Sequence, residues 1–253
     1  MVKGIVMHPK GLREATRRAM EREEHKQHIR LRPGEKKGCK RMATVVSVYE
    51  VDPYPRTTKS ILGLEQPPER KRPRPENKRT WAWVEADQGT VIEQACAEAA
   101  RRDPDQQMRW VVLTDGQPDL LRQVSAVAKH YPVDPVVVQD SVHVLEYLSE
   151  RKPVDKAADY IDNNQERLQY DQALAYRLPI ATGVIEGACR YLVKDRMDIT
   201  GARWGLERAE AIFKLRLLKV SGNLAAYLTF HFEQKHKRHY PGPPIPLAEC
   251  EAT

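Results

Sequence analysis

Short β-branched runs and longer stretches of helical period take turns along this chain. Residues 3–7 (KGIVM) predict a strand halted by Pro9, and a charged helix follows over 10–28. Residues 42–51 (MATVVSVYEV) carry the β-branched enrichment of a second strand. Residues 52–75 then hold six prolines with basic residues between them, so a connector is expected over about 52–79, ahead of a short strand at 81–84 (WAWV).

Beyond the connector the pattern becomes βαβα. Asp87 can cap a helix reaching Arg102, because Val91, Ile92, Ala95, Cys96 and Ala99 recur on one face. Residues 109–114 (RWVVLT) form a continuous apolar run, the mark of a strand covered on both sides, and Asp115-Gly116 ends it. A helix over 118–130 and a strand over 134–138 follow, and then helical patterns at 141–151, 154–175, 183–197 and 205–219. The expected class is α/β, with a core over 1–151 and a helical C-terminal part over 152–253.

Charge sharpens this picture. The chain carries 42 Lys+Arg against 35 Asp+Glu, a net charge of +7. The excess is concentrated: residues 1–41 hold thirteen Lys/Arg and five Glu, leaving the remainder close to neutral. Further basic runs stand at 70–74 (RKRPR) and 235–239 (KHKRH). Clustered cations favour a polyanion through counterion release, so contact with DNA or RNA is expected, the alternative being a solvated charged face. The four cysteines, Cys39, Cys96, Cys189 and Cys250, form no CxxC pair, which argues against a zinc site or a disulfide framework and for a reducing, cytoplasmic setting. No run approaches the ~20 apolar residues of a membrane span. The phosphate loop GxxxxGK[ST] and the glycine-rich dinucleotide fingerprint are both missing, so no nucleotide cofactor is expected.

Candidate chemistry sits after the strands. Asp115 follows an apolar run and precedes a glycine, the position where α/β sheets present ligand-binding groups; Asp-Gly is equally a turn signal. Asp140 and His143 stand one turn apart beyond the next strand, as candidates for outer-shell support or as a cap and an ordinary histidine. Glu186 lies among small and apolar neighbours in LPIATGVIEGACR, so it either points into a cleft or sits on an amphipathic helix with Arg190 as its i+4 partner. Arg190, Lys194, Arg196, Arg203 and Trp204 then offer a basic surface with one aromatic, suited to a DNA backbone and an unpaired base; a tryptophan at this spacing also fits a core.

The segments LPIATGVIEGACRYLVKDRMDITGARWGLERAE, VVLTDGQPDL and VVQDSVHVLEYL resemble the ISKra-type bacterial insertion-sequence transposases, relatives of the Mutator-like DDE group. The similarity runs from GIVM to the FHFEQKHKRHYP tail. It implies an RNase H-like mixed sheet flanked by helices, with three acidic residues holding two Mg2+ or Mn2+ ions that cut and rejoin transposon-end DNA. Asp115 matches the second catalytic aspartate and Glu186 the glutamate, both as metal ligands. The segment carrying the first aspartate resembles Asp-Gly-Lys-Gly-Ile-Val-Met, and its acidic position falls on Met1. Family members also carry a longer helical insertion where this chain passes from Tyr147 to Lys152. The resemblance therefore implies an incomplete or inactive copy that binds DNA ends and target, with a homo-oligomer among its partners; the alternative is a non-catalytic DNA-binding or regulatory fragment.

Overall fold

The computed structural model describes residues 1–22, 39–66, 69, 71–131, 133–149, 154–198 and 202–239. In chain order these form β1 (Val2–Val6), α1 (Glu14–Arg22), β2 (Lys40–Glu50), α2 (Thr58–Ile61), β3 (Glu76–Trp83), α3 (Gln88–Arg102), β4 (Val111–Thr114), α4 (Pro118–Ala128) and β5 (Val136–Gln139). The helices α5 (Ser141–Ser149), α6 (Val154–Asp162), α7 (Tyr170–Ala175), α8 (Gly183–Ala188), α9 (Asp195–Met197), α10 (Leu206–Val220) and α11 (Leu224–His239) follow, with a π-helical segment at Cys189–Lys194 between α8 and α9. No helix among the described residues is long and apolar enough to cross a membrane.

The mixed α/β class expected from the pattern is present, but the strands form two sheets rather than one. β1, β2 and β3 make an antiparallel sheet in that order, and β4 and β5 make a separate parallel pair. β1 registers Val2 against Thr44 and Val6 against Lys40, while β2 registers Thr44 against Trp83 and Val48 against Arg79. β3 begins at Glu76, inside the stretch expected to be connector, because its residues find partners in the second half of β2 across an irregularity between Val48 and Glu50. Asn77, with φ of +46°, sits at that irregularity.

The core lies under the three-stranded sheet. Ile5, Ala43, Val45 and Ala82 pack against Leu192, Val193, Met197 and Phe213 from the π segment, α9 and α10. Two smaller clusters complete the interior, one joining Val138 to Leu178 and Ile180, the other joining Ile92 on α3 to Leu120 and Val124 on α4. Polar ties fix α10 to the sheet: Glu210 accepts the N–H groups of Val84 and Glu85, each at 2.6 Å. Arg41 donates to the Val84 carbonyl at 2.9 Å and the Gly11 carbonyl at 3.0 Å, which holds β2 against the segment preceding α1.

The helix expected over 10–28 is seen as α1 from Glu14, and residues 23–28 lie outside the described residues. The helix expected over 154–175 is broken by a 3-10 turn at Gln165–Arg167, where Asn164 is buried and its side chain donates back to the Tyr160 carbonyl at 2.6 Å. That local bond offers the backbone an alternative to helical continuation. α11 has no counterpart among the helices expected from periodicity, because its apolar residues make no coherent face; Phe230 and Phe232 are both exposed. The basic tail expected at 235–239 forms its last turn, and the following residues lie outside the described residues.

Candidate functional site

The site is built at the carboxyl ends of the parallel pair. Asp115 directly follows β4, and Gly116 turns the chain with φ of +83°. Only glycine suits this position, because a Cβ here would stand 2.6 Å from Cδ of Gln139 on β5 and closer still to its Nε2. The Asp115 carboxylate accepts the Gln117 N–H at 3.3 Å and is partly exposed. Among the described residues its carboxylate makes no other hydrogen bond or ion pair.

Glu186 is placed by a different route. The segment before α8 is fastened to the end of β5: Ser141 donates to the Ile180 carbonyl at 2.9 Å. The fully buried Asp140 accepts both the N–H of Thr182, at 3.2 Å, and its hydroxyl. The same carboxylate accepts the Val142 N–H at 2.9 Å at the start of α5. Thr182 then opens α8, with its carbonyl accepting from Glu186 one turn on, at 3.0 Å. Glu186 is exposed and has no side-chain hydrogen bond or ion pair among the described residues, so the i,i+4 pair with Arg190, one of the two placements open to it, is not made.

The thiol of Cys189 is buried. Burial pushes its pKa up first; the Met1 amino group and Lys3 oppose that, and the charges of Asp115 and Glu186 add to it. Met1 belongs to the same locus. Its amino group donates to the Val45 carbonyl at 3.3 Å, and burial pulls its pKa down against the opposing charge of Asp115. Met1, Asp115, Thr182 and Ile185 line one cleft. Met1 and Asp115 thus share one cleft, whereas Glu186 is exposed on α8 and is not among the residues that line it.

At two places the sequence left a functional and a structural reading open, and the structure has the features of the structural one. Asp140 is a buried strut that caps α5, whereas His143 is on the surface, with Nδ1 3.8 Å from Glu146. The reason is that Asp140 occupies the capping position of α5, so its carboxylate is turned to backbone N–H groups and His143 falls on the solvent side. Trp204 is also no open stacking platform. Its indole N–H donates to the Met197 carbonyl at 3.2 Å, its backbone bonds Val6 and His8, and its ring packs on the core. Arg190, Lys194, Arg196 and Arg203 are exposed, as a phosphate-binding surface requires.

A supporting polar layer was not foreseen. Gln139 is fully buried and donates to the Tyr160 hydroxyl, and Tyr160 stacks on Tyr147 with ring centroids 3.9 Å apart. Burial raises the Tyr160 pKa, and the nearby Tyr147 and Asp115 add to the effect. The only cue in the sequence was a glutamine closing the apolar run VVVQ, a weak signal.

The donor set falls short of the two-ion site that the resemblance implies. Asp115 and Glu186 supply carboxylates, but position 1 supplies a thioether and a buried amine, which do not suit a hard cation. Among the described residues no group of three or more His, Cys, Asp or Glu side chains converges as a metal cage. Comparison with protein-family models, curated proteins and solved structures gives no match.

Proposed function

We propose that this chain is a DNA-binding protein of transposase descent, with an RNase H-like α/β core that retains two of the three carboxylates of a strand-transfer site. The observation that carries the reading is the placement of Asp115 beyond the end of β4 in one cleft with position 1, and of the exposed Glu186 one turn past Thr182, which is tied to the end of β5. Those are the positions that the resemblance assigns to the metal-binding acids. Two carboxylates do not make a two-ion site, so no cleavage step is assigned to the chain with Met1 in place of the first acid.

Binding needs less. Arg190, Lys194 and Arg196 lie close together along the stretch that follows Glu186, and Arg203 is exposed beyond it. Four exposed guanidinium and ammonium groups next to the acidic locus would hold a DNA backbone across it, with affinity set mainly by counterion release. A non-catalytic, regulatory binder is the form of this reading that the donor set favours.

The test is fluorescence anisotropy with a labelled duplex at several salt concentrations. Replacing Arg190, Lys194, Arg196 and Arg203 together by alanine is expected to flatten the log–log salt slope by about 0.9 for each phosphate no longer neutralised. An unchanged slope would remove this surface from the interface, and absence of binding at low salt would end the reading.

A further inference from the structure

A cavity of about 480 Å³ opens where β3, the last turn of α3 and the turn joining α10 to α11 meet, and every residue lining it is polar or charged. Glu98 is buried there, and three guanidinium groups converge on its carboxylate: Arg79, Arg101 and Arg102 each stand 2.8 Å away. Arg102 also donates to the Asn77 carbonyl at 2.5 Å and lies 3.6 Å from Glu50. Lys78 has no carboxylate partner among the described residues; its Nζ meets the Tyr191 hydroxyl at 3.4 Å and lies 5.7 Å from the centre of that ring. The lining thus sets Lys78, Arg79, Arg101 and Arg102 against Glu50 and Glu98.

Structural needs do not use up this charge. One guanidinium neutralises Glu98, another Glu50, and the carbonyl end of α3 takes up about half a charge more. The carbonyl end of α10 and the amide end of α11 meet at this turn and offset each other. Roughly one and a half positive charges remain unmatched among the lining groups. They are open to solvent, since the side chains of Arg79 and Arg101 are 45% and 68% exposed. Contact with Glu98 fixes both planar forks, so the donors turned away from it are already oriented for a second anion. Ser221 and Asn223, brought in by the positive φ of Gly222, complete the lining with hydroxyl and amide groups.

We propose that this cavity binds a phosphate monoester dianion, gripped by Lys78, Arg79 and Arg101. Such a group carries about −1.5 to −2 charge at neutral pH and three strong acceptor oxygens, which matches both the unmatched charge and the forked donors. A phosphodiester carries a single charge and two free oxygens, and fits less well. With no apolar side chain in the lining, the group that bears the phosphate is polar, a sugar rather than an acyl chain. A free phosphorylated small molecule and the phosphorylated end of a nucleic acid strand both offer this chemistry. The inference does not rest on the proposed function, because Arg190, Lys194, Arg196 and Arg203 are not among the lining residues.

The probes are methyl phosphate and dimethyl phosphate, titrated into the full chain at low ionic strength, with calorimetry for affinity and arginine side-chain Nε–H resonances for location. Methyl phosphate is expected to bind saturably, about tenfold or more tighter than dimethyl phosphate, and to move the signals of Arg79 and Arg101. Lys78→Gln with Arg101→Gln removes two cations while Arg79 and Arg102 keep Glu98 paired, and should weaken methyl phosphate about tenfold or more with circular dichroism unchanged. Arg122→Gln with Lys129→Gln removes the same charge on and just after α4, outside the cavity, and should change the affinity less than about twofold. Equal affinity for the two esters, equal effects of the two double variants, unmoved arginine signals, or no binding at all overturns the proposal. A short single strand that competes with methyl phosphate only when it bears a 5′-phosphate assigns the ligand to a nucleic acid end. Competition by neither form, with methyl phosphate still bound, assigns it to a free small molecule, and equal competition by both forms overturns the proposal. None of these outcomes depends on duplex binding, which tests the proposed function separately.

Discussion

Replacing Asp140 by alanine tests whether the placement of Glu186 depends on a buried carboxylate rather than on the propensity of α8. Asp140 is fully buried and accepts from three donors: the Val142 N–H, the Thr182 N–H and the Thr182 hydroxyl. Thr182 is itself buried, 3% exposed, so its two donors would be stranded without water. Each such loss costs about 1–3 kcal/mol, and the lost cap of α5 adds about 1 kcal/mol. The expected total is about 3–7 kcal/mol. At roughly 2.1 cal/mol/K per residue, a chain of this length unfolds with an entropy near 0.5 kcal/mol/K, so Tm should fall by about 6–13 °C. Asp140→Asn keeps the shape and one acceptor, and should lose about half as much. Urea denaturation gives the free energies, and hydrogen exchange at the Thr182 amide reports the local latch. A loss below about 1 kcal/mol for the alanine variant, or equal losses for both variants, would refute the account.

Gly116→Ala forces a side chain into a left-handed turn against Gln139, and is expected to cost about 2–4 kcal/mol by chemical denaturation. Phe213→Ala empties a fully buried site between α10 and the sheet, with an expected loss of about 3–5 kcal/mol. Glu98 gives a pH dependence with a definite sign. Burial pushes its pKa up, but hydrogen bonds from Arg101 and Arg102 and the charge of Arg79 outweigh this and hold it below the ordinary glutamate value. Its stabilisation is therefore full above the unfolded-state pKa and is lost as pH falls through the folded one, so Glu98→Gln should flatten the acid limb of a Tm–pH curve. Placing an aspartate at position 1, behind a new initiator, adds a third carboxylate beside Asp115. Calorimetry should then detect Mg2+ binding that is lost again in Asp115→Asn; equal Mg2+ affinity with and without the added acid would count against the site assignment.

Much of the element order could be read from the chain itself. The apolar runs at β2, β4 and β5, the Asp87 cap of α3 and the turn glycine after Asp115 are each local features whose cause is contained in a few consecutive residues. The position of Asp115 at a strand end was legible for the same reason. Glu186 and Thr182 were visible as neighbours in sequence, but their relation to Asp140 was not, because it depends on the 42-residue separation closing in space. His143 and Trp204 each admitted a functional and a structural reading from residue type alone. Only packing turned His143 to the surface and gave the indole of Trp204 a carbonyl partner in Met197.

Periodicity and β-branching determine which segments become strands and helices, since those preferences act over one or two turns of chain. They do not determine that Met1 and Asp115 share one cleft, or that one buried carboxylate ties the end of β5 to the segment before α8. Those are properties of long-range pairing and burial, in which groups far apart in sequence satisfy, or leave unsatisfied, the same backbone and charge requirements.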